Sequence, residues 1–317
     1  MKKLTDMKNF ILSLCVFMAP LLMYSQTPVK QHGNLHIIDG KIKDVRNSAF
    51  VLRGVSLGWH NWWPDFYNKS VVTQMASDWG CNVIRIAVGV DVENGYIDNP
   101  AWTLELVETV VDAAIDNGIY VIIDWHCHDI HLEQAIGFFS SVAKKYGDKP
   151  NVLFEIFNEP DKESWNEIKR YAVEVIDTIR LFSSNIVIVG TPSWSQDVDL
   201  VVSDPIVGYD NIVYSLHFYA ASHNKTLRGK AIFAVEKGLP LLVTECSPAY
   251  SDGDGYLDKK EFRKWDSFMN KNKIGRVLWG IYDKPEASAM LVNGVNPYIT
   301  WQENDLTEMG QFVKKYH

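Results

Sequence analysis

Residues 152–160 read VLFEIFNEP. The run VLFEIF (152–157) is apolar at every position but Glu155, and Asn158, Glu159 and Pro160 end it. Such a run suits a strand covered on both faces, as in a parallel sheet wrapped by helices. The same pattern recurs in both directions along the chain. Strand-like runs lie at VLRGV (51–55), NVIRIAV (82–88), YVIID (120–124), IVIVG (186–190), IVYSLHF (212–218), LLVTE (241–245) and RVLWGI (276–281). Helix-like stretches fall between and after them at 103–117, 133–146, 162–182, 223–237, 258–272 and 305–316. Eight strands alternating with helices predict an α/β chain folded as a (β/α)8 TIM barrel. A doubly wound sheet would need a glycine-rich phosphate turn after its first strand, and GVSLGWHNWW (54–63) supplies none. Ahead of the barrel, NLHIIDGKIK (34–43) predicts a small hairpin turning at Asp39-Gly40.

Residues 1–25 read as a secretion signal: lysines first, then FILSLCVFMAPLLMY, then Ser25 and Gln26. Pro20 interrupts the apolar run, which is short for a membrane span. Cys15 lies mid-run after Leu14, not after a small residue, which argues against a lipid anchor. The expectation is a secreted protein with one catalytic domain over 26–317. Lys2, Lys3 and Lys8 against Asp6 give the leader +2, so the remainder carries −10 of the overall −8. That balance disfavours nucleic acid as a partner. Beyond the leader, Cys81, Cys127 and Cys246 are an odd set without framework spacing, and each is expected to be a small buried hydrophobe.

In a barrel, reactive groups gather at the C-terminal ends of the strands. Two glutamates lie there: Glu159 after the fourth strand and Glu245 closing LPLLVTE (239–245) on the seventh. A carboxylate at the mouth of a buried strand is costly without a partner or a task. At the same level fall Arg85 on the second strand, His126 after the third, His217 and Tyr219 at the sixth, and Trp279 on the eighth. Two facing carboxyl groups suit glycoside cleavage with retention, one protonating the departing oxygen and the other attacking the anomeric carbon. Arg85 and Tyr219 are placed to keep Glu245 ionised as nucleophile. His217 is placed to tune Glu159 as general acid, with a raised pKa. Asn158 offers an amide for a sugar 2-hydroxyl.

Eleven tryptophans suit a neutral ligand held by stacking. Trp62, Trp194 and Trp279 follow or end strands and read as sugar platforms. Trp59 and Trp63 read equally well as platform or core, and Trp79, Trp102, Trp165 and Trp265, in helical stretches, read as core. Lys284 and Glu286 are polar groups near the same rim.

Taken in order, LRGVSLGWHNWW (52–63), NVIRIAV (82–88), YVIIDWH (120–126), NVLFEIFNEP (151–160), GTPSWSQDV (190–198), VYSLHFYA (213–220), PLLVTE (240–245) and VLWGIYDKPEASAM (277–290) resemble glycoside hydrolase family 5, and most closely its bacterial endoglucanase subfamily. The resemblance implies a (β/α)8 barrel that hydrolyses internal β-1,4-glucan bonds with retention. It implies Glu159 as acid/base, Glu245 as nucleophile, and Arg85, His126, Asn158, His217 and Tyr219 around the cleaved sugar. Trp279 would stack on that sugar, Trp62 toward the non-reducing side and Trp194 on the leaving side. Lys284 and Glu286 would bond glucose hydroxyls, and Trp279–Gly280 is a place to expect a cis peptide. The chain departs from the family at Cys246-Ser247, where an aromatic and a glycine often follow the nucleophile. It departs again at Ser56-Leu57-Gly58-Trp59, where relatives carry Ser-His-Gly with a sugar-binding His. Here His60 is displaced by two positions.

YSDGDGYLDKKE (250–261) nearly fits a calcium loop, but Tyr250 holds the first ligand position, so it reads as an acidic surface turn. His126, His128 and His131 could group round a metal, yet they follow the third strand without an Asp on the eighth. The expectation is therefore no metal and no cofactor. The expected partner is a β-1,4-glucan polysaccharide, cellulose or mixed-linkage glucan, bound by a monomer with no membrane once the leader is cleaved. β-Mannanase or xyloglucanase activity on the same scaffold is the nearest alternative, and a non-catalytic glucan-binding barrel is the alternative of another class.

Overall fold

The computed structural model describes residues 26–316. The expected leader, residues 1–25, lies outside the described residues. Eight parallel strands close into a barrel. They are β1 (Arg53–Leu57), β2 (Val83–Gly89), β3 (Tyr120–His126), β4 (Val152–Glu155), β5 (Val187–Val189), β6 (Ile212–Tyr219), β7 (Leu241–Ser247) and β8 (Arg276–Ile281). Each pairs with its sequence neighbour and β8 closes on β1. The antiparallel hairpin pairs His36–Ile38 with Lys41–Lys43, and its turn residues Asp39 and Gly40 take positive φ as expected.

The expected helices are present as Pro100–Asn117, Leu132–Tyr146, Trp165–Arg180, Lys225–Glu236, Lys259–Asn272 and Glu308–Tyr316. Their ends shift by a few residues because caps decide them. Ser164 and Glu167, for example, form a reciprocal capping box that starts one helix at Trp165. A further helix, Lys69–Ser77, capped by the Asn68 side chain, completes the first β/α unit. Its nine residues are too few to show a clear apolar period.

Successive strand residues face opposite ways. Outward positions such as Ile84, Ile86, Val121 and Ile123 join the layer packed under the helices. Inward positions change character along the barrel axis. At the N-terminal end, Val83, Tyr120, Ile122, Leu153, Ile188, Val213, Leu242 and Val277 form an apolar plug with Ile42 of the hairpin, Phe50 and Leu52. Two residues further along the same strands the interior becomes polar: Arg85, Asp124, Glu155 and Ser215, all fully buried. The apolar plug shuts one mouth, and the polar layer forms the floor of a pocket at the other.

One irregularity places the chemistry. Between β6 and β7 the register runs Ser215↔Leu242 and then His217↔Glu245, and β8 sees the same extra residue in β7. This β-bulge turns two consecutive residues, Thr244 and Glu245, toward the barrel interior, where a regular strand would turn only one.

Candidate active site

Arg85 is the hub of the pocket floor. Its Nε donates to Glu155 Oε2 at 2.8 Å, Nη1 to Glu245 Oε2 at 3.0 Å and Nη2 to Asn158 Oδ1 at 2.6 Å. Nη2 also lies 3.0 Å from Asp124 Oδ2. Burial works against its charge, but Asp124, Glu155 and Glu245 outweigh burial and hold the guanidinium firmly protonated. Neutralising three buried carboxyl groups with one cation leaves excess negative charge, and Asp124 takes the consequence. Burial and the neighbouring Glu155 and Glu245 push its carboxyl well up, against the pull of Arg85. It shares a hydrogen with His126 Nδ1 across 2.6 Å. His126, pushed down by burial and the nearby Arg85, stays neutral.

Glu245, at the β7 bulge, accepts from Arg85 through Oε2 and from the Tyr219 hydroxyl through Oε1 at 2.6 Å. Both contacts expected from the sequence are present. Their net effect on the carboxyl is smaller than expected, because burial and the charge of Glu159 push it above its ordinary range. Glu159, placed after β4, accepts from His217 Nδ1 at 2.9 Å through Oε1. An oxygen of Glu159, an oxygen of Glu245 and a ring nitrogen of His217 lie within 4.8 Å of one another.

These groups line two adjoining depressions. One, of about 470 Å³, is bounded by Glu159, Glu245, His217 and Tyr219 and extends past His128, His223 and Gln196 to Trp194. The other, of about 190 Å³, runs from the same carboxyl groups over Trp279 to Trp59, Trp62, Trp63, Lys284 and Glu286. Trp62 and Trp194 are about half exposed, at 53% and 48%, as platforms must be. Trp279 stacks beside His126 with centroids 5.4 Å apart, and its bond to Gly280 is cis. Lys284 pairs with Glu286, whose other oxygen accepts from Tyr282 at 2.6 Å. Every residue singled out from the sequence as a site candidate is thus in or beside one cleft.

Several residues beneath the cleft carry no clear signal in the sequence. Asp124 and Glu155 sit inside apolar runs, and Thr244 precedes the more conspicuous Glu245. Asp124 was findable, lying two residues before His126 and so on the same strand face. Trp59 and Trp63 resolve as cleft residues, packing with Trp62 and Tyr282 respectively. The displaced His60 does not take over sugar contact: it is fully buried, accepting from the Gly89 N–H at Nδ1 and donating from Nε2 to Thr103 Oγ1, whose own hydrogen goes to Asn99 O. Of the helical tryptophans, Trp79, Trp165 and Trp265 are core as expected, whereas Trp102 is only partly buried beside His60.

The acidic turn at 250–256 is more than a surface feature. Ser251, Asp252 and Gly253 line the cleft, and the Ser288 N–H donates to Gly253 O at 2.8 Å. The three histidines at and after the end of β3 part company: His126 goes to Asp124, His128 to the Glu159 carbonyl at 3.2 Å, and His131 to Asp91 at 3.2 Å. All three cysteines among the described residues are buried.

Comparison with known proteins agrees with this arrangement. A family model described as cellulase (glycosyl hydrolase family 5) matches residues 43–285. Endoglucanase Z of Dickeya dadantii is 41% identical, covering 99% of this chain and 73% of that protein. An endoglucanase of Clostridium saccharobutylicum is 40% identical over 89% of this chain, and the match spans 64% of its length. Among solved structures, a Cytophaga hutchinsonii protein superposes with a TM-score of 0.90 at 40% identity, covering 92% of this chain and 96% of that one. The catalytic domain of Thermobifida fusca endoglucanase Cel5A gives 0.88 at 32%, covering 92% and 99%. With the matched segment carrying both cleft glutamates, the chain belongs to glycosyl hydrolase family 5.

Proposed function

We propose that this chain is a secreted endo-β-1,4-glucanase that cleaves internal bonds of cellulose or mixed-linkage β-glucan with retention of anomeric configuration. The observation that carries the reading is the approach of Glu159 and Glu245 to within 4.8 Å across one open cleft. Retaining glycosidases hold their carboxyl groups about 5–5.5 Å apart, whereas inverting ones leave about 6.5–9.5 Å for a water. The proximity supports direct attack by one carboxylate.

Glu159 acts as acid/base and Glu245 as nucleophile. Glu245 has both oxygens held by donors that orient it, while Glu159 is more open to the cleft and coupled to a titrating histidine. Asn158 and His126 flank the attacked sugar, Trp279 packs on it, and Trp62 and Trp194 carry the chain on either side. A cleft running past the carboxyl groups in both directions suits an internal bond of a polymer. A variant of the Thermobifida fusca catalytic domain has been solved with cellotetraose, in keeping with a β-glucan ligand. Among the described residues no helix is long and apolar enough to cross a membrane. Secretion rests on the leader, and the enzyme acts as a monomer without nucleic acid, metal or cofactor.

The test is a panel of cellulose, mixed-linkage glucan, mannan and xyloglucan with wild type, Glu159→Ala and Glu245→Ala. Each variant loses at least about 10³-fold on polymer, since each half-reaction needs its carboxyl group. Azide restores Glu245→Ala with inverted product and Glu159→Ala with retained product on activated substrates. Swapped stereochemistry would reverse the two roles, and preferential cleavage of mannan would move the substrate.

A further inference from the structure

A chain of hydrogen bonds beneath the cleft ends on Glu159 and begins on a residue that no sugar reaches. Glu155 is fully buried. Burial disfavours its charge, but Arg85 and the nearby His217 outweigh burial and keep its carboxyl below the ordinary range, so it is ionised and accepts only. Its Oε2 takes the Arg85 Nε–H, and its Oε1 takes the Thr244 hydroxyl hydrogen at 2.6 Å. Thr244 has one hydrogen to give. Its oxygen is then left to accept, from the Ser215 hydroxyl at 2.6 Å and from His217 Nε2 at 2.8 Å. An acceptor facing Nε2 requires a hydrogen on Nε2. The occupancy of Nδ1, 2.9 Å from Glu159, is the one left free to change.

We propose that Glu155 and Thr244 are positioning residues that lock His217 as the Nε2–H tautomer, so that its Nδ1 and Glu159 hold a single transferable proton between them. The proposal rests on the assignment of Glu159 as acid/base. In the first half-reaction the bond between anomeric carbon and glycosidic oxygen breaks, Glu245 bonds to that carbon, and the shared proton goes to the departing oxygen. In the second, water bonds to the same carbon, the bond to Glu245 breaks, and the proton released by water returns to the pair. One proton leaves and one returns, and water is the only reactant consumed besides the glucan. His217 acts through Glu159 throughout.

The surroundings of His217 suit this part. Glu155 and Glu159 face it from β4 and the loop beyond, Thr244 and Glu245 from β7, and Ser215 and Tyr219 are on its own strand. Arg85 on β2 and Asp124 on β3 complete the floor, and His128 and His223 stand near Glu159 on the cleft side. Burial opposes a charge on the ring, yet the carboxylate of Glu155 3.8 Å from Nε2, the hydrogen bond to Glu159 and the field of Glu245 lift its pKa to about 9. The β7 bulge is what permits the device: it brings Thr244 under the histidine while Glu245 faces the sugar.

Thr244→Val keeps the branched shape and deletes the hydroxyl, and Thr244→Ser keeps the hydroxyl. The pH profile of kcat/KM on a soluble cello-oligosaccharide is measured for both and for wild type. Without the link to Glu155 the protonated pair is less favoured, so the alkaline limb of Thr244→Val moves to lower pH by about one unit, a tenfold loss above it. Thr244→Ser retains the wild-type limb. In parallel, ¹⁵N chemical shifts of His217 in the wild-type protein read Nε2 as protonated on both sides of the titration. An unmoved limb in Thr244→Val, an equal shift in Thr244→Ser, or an Nδ1–H ring at high pH overturns the proposal. If Thr244→Val does not fold, the wild-type ¹⁵N measurement decides. A wild-type protein that cleaves no β-glucan would refute the functional reading, while the tautomer measurement would still judge the hydrogen-bond chain.

Discussion

Glu155 and Glu245 grip the same guanidinium, 2.8 Å from Nε and 3.0 Å from Nη1 of Arg85, but only Glu245 faces the cleft. Glu155 keeps the cation oriented from below, and Glu245 is thereby aimed upward at the substrate. Arg85→Lys replaces a planar fork with one ammonium that cannot reach both acceptors and Asn158 together. The expected outcome is a loss of roughly 3 kcal/mol of stability, the low end for breaking a buried ion pair, read as a lowered thermal midpoint. kcat falls as well, because the carboxylate loses its aim. A variant of wild-type stability and rate would show that Arg85 does not hold the pocket floor together.

The two exposed platforms should separate kinetically. With the glucan bound so that Trp62 lies toward its non-reducing side, away from the leaving group, Trp62→Ala raises KM on polymer by roughly threefold to tenfold, an aromatic contact of about 0.5–1.5 kcal/mol, with kcat little changed. Trp194→Ala lowers kcat/KM on polymer by a similar factor. It leaves an activated aryl cellobioside almost untouched, since that substrate has no sugar to set on the leaving side. Equal losses on both substrates would put Trp194 elsewhere in the mechanism.

His60 predicts an acid sensitivity. Burial lowers its pKa to about 4, against a small opposing effect of the Ala87 backbone. The unfolded chain therefore binds the proton first as pH falls. Stability from this group is complete above the unfolded value of about 6.5 and is lost between there and about pH 4, amounting to about 3 kcal/mol. His60→Asn, which cannot titrate, should flatten the fall in denaturation midpoint over that window, even if it is less stable at pH 7. An unchanged slope would show that other groups govern acid unfolding.

Lys273 offers a stabilising change. It closes the helix Lys259–Asn272 at φ 60°, a left-handed position, and its side chain is exposed. Glycine adopts that conformation without a Cβ penalty. Lys273→Gly should gain about 1 kcal/mol and raise the thermal midpoint by a few degrees, with kcat/KM unchanged. A lower midpoint would mean that the lysine does more there than end a helix.

The strand order, the barrel class and the two glutamates were legible because each strand is an apolar run whose end is marked by a change to polar residues. The supporting acids were not, because a single carboxylate inside such a run looks like an interruption until its neighbours are known. Asp124 and Glu155 make sense only around Arg85, which comes from another strand. The cleft role of the 250–256 turn was likewise hidden, since its partners Glu286 and Ser288 follow a different strand.

Local chemistry along the chain determined where strands begin and stop and which residue types wait at their ends. Tertiary structure alone decided the β7 bulge, the four acceptors gathered on Arg85, and the burial of His60 while its neighbour Trp59 reached the cleft. The physical reason is range. Propensity and periodicity act between residues a few places apart, whereas the charge of a buried carboxyl and the aim of a hydrogen bond are set by groups 70 to 160 positions away, brought together only when the barrel closes.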